Sequence, residues 1–143
     1  MGFSILVVDD SSLARKLCCR CLERVGFGGA TFFEAEDGVH ALQLMRSERI
    51  DLVVTDLDMP NMSGQQLLRA IKEQGLGIAV IVLSATAGPD ERQPLLADGA
   101  RAVLKKPAFP AHFAHVLHEE RARFQLERTP QGVSLGPAPA SMR

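Results

Sequence analysis

Four short runs, "SILVVDD" from Ser4, "DLVVTD" from Asp51, "IAVIVLS" from Ile78 and "RAVLKK" from Arg101, are apolar almost without interruption and rich in β-branched residues. Successive strand residues point to opposite faces, so a run that is apolar on both must be covered on both, as in a parallel sheet between helices. A weaker fifth run, "ATFFEAED" from Ala30, fits between the first two.

The stretches between these runs carry helical spacing. Leu13, Leu17 and Cys21 with Val25 mark a first helix, stopped by Gly26, Gly28 and Gly29. Val39, Ala41, Leu42 and Met45 mark a second behind Asp37, and Ser63 opens a third with Leu67, Leu68 and Ile71 on one side and Gly75 at its end. The fourth, "GPDERQPLLADG", contains Pro94, which removes a helical hydrogen bond and crowds the preceding turn, so a short or kinked helix is expected. A fifth starts near Phe109 or Pro110 with Phe113, Val116 and Leu117 inward. Strands alternating with helices require right-handed crossovers and an open α/β sheet covered on both faces.

In such a sheet the carboxyl ends of the strands form the binding rim. The first run ends in Asp9 and Asp10, the third in order in Asp56, the fourth in Ser84 and the last in Lys105 and Lys106 before Pro107. A charge at the end of a buried strand must reach water or meet a counter-charge. Carboxylates, a hydroxyl and an ammonium together suit a hard divalent cation and a phosphoryl group in transfer. Asp56 is the natural nucleophile, since a carboxylate can form an acyl phosphate. Helix capping would explain any one of these acids, but not all three with Lys106.

The motifs "VVDD", "VVTDLDMPNMSG", "IVLSAT" and "VLKKP", in this order, resemble the receiver domain of bacterial two-component response regulators over about Phe3 to Arg121. The resemblance implies the flavodoxin-like fold of the chemotaxis regulator, a doubly wound five-stranded parallel sheet in the order 2-1-3-4-5 with five helices. It implies that Asp56 accepts phosphate from a phosphohistidine of a sensor histidine kinase or a histidine phosphotransfer protein. Mg²⁺ would lie on Asp10, Asp56 and the backbone carbonyl of Asp58, with Asp9 holding a metal-bound water. Lys106 would contact the phosphate, Ser84 would close on a phosphoryl oxygen, and Lys105 would face elsewhere; a cis Lys106-Pro107 bond is frequent in the family. The output would pass through the face made by the fourth helix, fifth strand and fifth helix, to a downstream protein or a fused output domain. Two positions stand out. Val103 occupies the place of the family's usual switch aromatic, leaving Phe109 as a substitute or the Ser84 loop and fourth helix as the route. Asp58 and Thr86, each two residues past a reactive side chain, are expected to tune water access to the acyl phosphate.

The main enzymatic rival is a haloacid-dehalogenase-type phosphatase, which also uses an acid pair like "DLD", but its nucleophile motif leads the chain, whereas here "DD" does. A scaffold that never takes phosphate has no use for the acid cluster. Net charge −1 and 5% aromatics give neither a basic field nor stacking platforms, which argues against direct nucleic-acid binding. The apolar start is too short for a signal-peptide core, no stretch approaches the roughly 20 apolar residues of a membrane span, and a cytoplasmic location is expected. Cys18, Cys19 and Cys21 read as core thiols in a reducing compartment, and His112, His115 and His118 as a solvated helix face. The 143 residues suit one domain at 1–124 and a Pro/Gly/Ala-rich tail or linker at 125–143; a homodimer is left open.

Overall fold

The computed structural model describes residues 2–116 and 118. Along the chain run β1 (Ser4–Val8), α1 (Ser12–Leu22), β2 (Thr31–Ala35), α2 (Gly38–Ser47), β3 (Leu52–Asp56), α3 (Gly64–Glu73), β4 (Ala79–Ser84), α4 (Pro89–Ala97) and β5 (Ala102–Lys105). Residues 110–116 are helical and constitute α5. All strand pairings are parallel and the order is β2-β1-β3-β4-β5, the doubly wound arrangement expected. Leu117, the charge run beyond His118, the tail and the boundary at 124 lie outside the described residues.

Alternate strand residues feed two cores. Leu6, Val8, Val53, Val80 and Val82 pack with Met45, Leu67, Ile71 and Leu95 from α2, α3 and α4. Ile5, Val7, Leu52, Val54 and Ile81 pack with Cys18, Leu22, Phe27 and Phe113 from the α1 and α5 side. The near-continuous apolar runs are thus buried on both faces.

The inward face of α1 is not the Leu13–Leu17–Cys21 row that marks the helix in the sequence. Leu13 and Leu17 are 68% and 54% exposed, and the buried residues are Cys18 and Leu22. Ala14, Cys18 and Leu22 form a row spaced by four, one position round the helix from the Leu13–Leu17–Cys21 row. Hydropathy favours the leucines, whereas Cys18 and Leu22 are the residues that pack with Phe27 and Phe113 against the sheet. Val39 is similarly exposed, while Ala41 and Met45 carry the packing of α2.

Local signals set the other ends. The Asp37 side chain accepts from the His40 N–H, and Ser63 and Gln66 form a reciprocal capping box. Past Leu22 the chain makes a π turn, Glu23–Phe27, in which Gly26 has φ 110°, so the glycines end the helix as expected. α4 passes through Pro94 over nine residues and buries only Leu95, which leaves it lightly anchored. The three cysteines are free thiols; burial pushes Cys18 up and holds Cys19 at about 11, so both stay protonated at neutral pH.

Candidate functional site

Strand register builds the rim. Val8 lies opposite Thr55, so Asp9 comes level with Asp56, which lies opposite Leu83; Ser84 lies opposite Lys105, which puts Lys106 one step beyond. Asp9 and Asp56 are both buried, and Asp10 is exposed. Carboxylate oxygens of Asp9, Asp10 and Asp56 lie within 4.8 Å of one another. Lys106 Nζ stands 3.1 Å from Asp9 Oδ2 and 3.4 Å from Asp56 Oδ1, bridging the two acids. Asp9 also accepts from the Ser11 N–H, and its backbone oxygen accepts from Arg15. The exposed Asp58 presents its backbone N–H to the Asp56 carboxylate. The Lys106-Pro107 peptide is cis, and Lys105 is exposed.

The "MSG" turn has its own steric cause. A Cβ on Gly64 would lie 2.4 Å from the Asp56 carbonyl oxygen and 2.9 Å from Leu57 Cα, and the Gly64 N–H donates to the Leu57 oxygen at 2.8 Å. Only glycine lets α3 start against the end of β3, where Asp56 sits.

Ser84 is buried, and its hydroxyl donates to Glu91 Oε1 rather than to Asp56. The same Glu91 oxygen accepts from Thr86 Oγ1 and from the Ala87 N–H, each at 2.9 Å. Val103 is fully buried and its carbonyl accepts from Arg92 Nη1 at 2.5 Å. Phe109 is 57% exposed with its ring against His112, so it does not fill the place of the missing aromatic in this conformation. Beside Val103 lies a groove of about 210 Å³ bordered by Thr86, Arg92, Lys105 and His112. Sequence reasoning missed Glu91 and Arg92; an acid three residues past Gly88, which offers no side-chain cap to α4, was the available signal.

The family model described as the response regulator receiver domain matches residues 5–118. The chain belongs to this family. Among curated relatives, the sensor histidine kinase RcsC of Escherichia coli (strain K12) is 40% identical over 103 residues, 72% of this chain and 10% of that protein. The response regulator MprA of Mycobacterium ulcerans (strain Agy99) is 37% identical over 107 residues, 75% of this chain and 45% of MprA. The receiver therefore spans a tenth of one relative and under half of the other. A solved response regulator receiver domain protein from Clostridium thermocellum superposes with TM-score 0.76 at 28% identity, covering 87% of this chain and 98% of that one.

The donor set of the receiver fits a divalent cation. It offers three carboxylates and no Cys or His, the all-oxygen chemistry that Mg²⁺ prefers, and receiver domains of this family typically bind Mg²⁺ at such an acidic pocket. Among the described residues no helix is long and apolar enough to cross a membrane.

Burial dominates the electrostatics of Asp56. Burial holds the Asp56 carboxyl above its usual range; Lys106 opposes this without cancelling it, and the neighbouring Asp9 adds to the rise. Burial alone would depress Lys106, but the Asp9 hydrogen bond and the charge of Asp56 together hold it above its ordinary value. A carboxyl raised on folding binds its proton more tightly in the native state, so stability falls as pH rises from the ordinary carboxylate range through the raised value. Asp56→Asn is accordingly expected to be more stable than wild type at neutral pH without divalent cations, with the gap closing below about pH 4. Urea unfolding across pH reads this; a variant less stable than wild type at neutral pH would contradict it.

Proposed function

We propose that this receiver takes a phosphoryl group on Asp56 from the phosphohistidine of a sensor histidine kinase or histidine phosphotransfer protein, and that the acyl phosphate changes what its α4-β5-α5 face binds. The observation that carries the reading is Lys106 bridging Asp9 and Asp56 at the rim, next to a buried hydroxyl. An Asp56 carboxylate oxygen attacks phosphorus in line; the P–N bond breaks, and the imidazole departs with its electron pair and is protonated. Lys106 lies where its N–H groups can follow a phosphoryl oxygen, and Ser84 supplies a hydroxyl from the next strand. Asp9, Asp10 and Asp56, with the Asp58 backbone carbonyl, would hold Mg²⁺, which offsets the negative charge that gathers in transfer. The catalysis acts on the chain itself: it takes the group and later loses it to water, with Asp58 and Thr86 setting how readily water arrives. Such a donor implies a cytoplasmic location, and the output is a downstream protein or a fused output domain.

The switching part has a direct test. With Mg²⁺ and beryllofluoride, which mimics an aspartyl phosphate, amide resonances from Ala85 to Phe113 are expected to move. A spectrum that changes only at Asp9, Asp10 and Asp56 would contradict the proposed output face.

A further inference from the structure

We infer that Glu91 is a positioning residue that holds the Ser84 hydroxyl away from the phosphoacceptor, and that with Arg92 it forms a polar relay from Ser84 to β5 in place of an aromatic switch. The inference rests on the phosphoacceptor reading and adds the means by which it is regulated.

A serine hydroxyl has one proton to give and two lone pairs to receive with. In Ser84 the proton goes to Glu91, and the oxygen accepts from the Thr86 N–H at 3.2 Å and from the Ala87 N–H at 3.1 Å, a proton that Ala87 shares with Glu91. Ser84 therefore reaches a phosphoryl oxygen only by giving up Glu91. Glu91 in turn gathers three donors on one oxygen: the Ser84 and Thr86 hydroxyls and the Ala87 N–H. It stands in the first turn of α4, where Gly88 provides no side-chain cap, and it fastens that turn to the β4–α4 loop; Ala87 is held there at φ 50°.

The next residue carries the connection onward. Among the described residues β5 ends the sheet order, and its Val103 carbonyl is bonded by Arg92 instead of by a further strand. Glu91 and Arg92 are adjacent on α4, so that one turn is tied to Ser84 on one side and to β5 on the other. A phosphoryl group on Asp56 brings further ionised acceptor oxygens to the rim, which compete with Glu91 for the Ser84 proton. Glu91 then loses a hydroxyl donor and faces added negative charge beside Asp58 and Asp90, which line a second groove together with Glu91, between the end of β3 and α4. The first turn of α4 shifts outward, Arg92 goes with it, and the Val103 carbonyl is released. Val103 itself needs no ring to carry the signal.

The test uses the full chain with Mg²⁺ and beryllofluoride, followed by amide NMR because the protein has neither Trp nor Tyr. Glu91→Ala is expected to bind beryllofluoride about tenfold more tightly than wild type, the weight of one charge-assisted hydrogen bond no longer broken on binding. Its unliganded resonances at 84–92 and 103–105 should lie displaced towards the liganded wild-type positions. Glu91→Gln, which keeps an acceptor but not the charge, should fall between and carries the same test should the alanine variant fail to fold. Arg92→Ala should still bind, with the response at 103–105 lost. Equal or weaker binding by both Glu91 variants, or an intact β5 response in Arg92→Ala, would overturn the relay. Failure of wild type itself to bind would instead remove the phosphoacceptor reading, and the relay with it.

Discussion

Gly64→Ala is expected to destabilise the domain by about 3 kcal/mol or more, the upper range for forcing atoms into a packed site. Helix propensity alone predicts the opposite sign, since alanine in a helix is favoured over glycine by about 0.5–1 kcal/mol. The added Cβ would meet the Asp56 carbonyl oxygen at 2.4 Å and Leu57 Cα at 2.9 Å, both backbone atoms that cannot rotate aside. Relief requires α3 to draw back from β3, which moves Asp56, the proposed phosphoacceptor. Gly29→Ala is a suitable control, because nothing lies within 4 Å of the Cβ it would gain. Urea unfolding of the two variants checks the claim; a Gly64→Ala protein as stable as wild type would show that the junction yields more readily than its geometry implies.

Lys106→Met is expected to slow phosphoryl uptake from a small phosphodonor by about 10²–10³-fold, the usual effect of deleting one preorganised charge donor from a transfer site. The loss has two physical sources. Lys106 neutralises Asp9 and Asp56, from which it stands 3.1 Å and 3.4 Å, and without it two buried carboxylates repel each other and the incoming phosphoryl group. The nucleophile is also left without the cation that follows charge onto the phosphoryl oxygens. Because Lys106 titrates above its ordinary value in the fold, the stability it contributes is fully present below the ordinary lysine range and is lost as pH rises through the raised one. The variant should therefore also be less stable at neutral pH. Rate constants for wild type, Lys106→Met and Lys106→Arg, measured at saturating Mg²⁺, separate charge from shape: substantial recovery by Arg points to charge, none to the compact ammonium.

The rim was legible in the sequence because each of its members stands at the end of an apolar run, and strand register in a parallel sheet brings such ends together. Asp9, Asp56, Ser84 and Lys106 needed only that topology to meet. The inward face of α1 was not legible, because the hydropathy of Leu13 and Leu17 outweighs that of Ala14 and Cys18, and only the docking of the helix on the sheet selects the Cys18–Leu22 row. Glu91 was hidden for another reason. Its partners Ser84, Thr86 and Ala87 are reached through a loop whose path depends on the positive φ of Ala87, a conformation that alanine does not advertise. Arg92 reads as an ordinary surface cation until the edge of β5 is placed beside it. Val103 shows the complementary case: its identity was plain, but the Arg92 bond to its carbonyl emerged only from the fold.

In the proposed function Asp56 carries the phosphoryl group. Intact mass after incubation with Mg²⁺ and acetyl phosphate, for wild type and Asp56→Ala side by side, addresses it most directly. One phosphoryl adduct on wild type, abolished by EDTA and absent from Asp56→Ala, is the expected result. An adduct of equal extent on Asp56→Ala, or none on wild type with Mg²⁺ demonstrably bound, would contradict it.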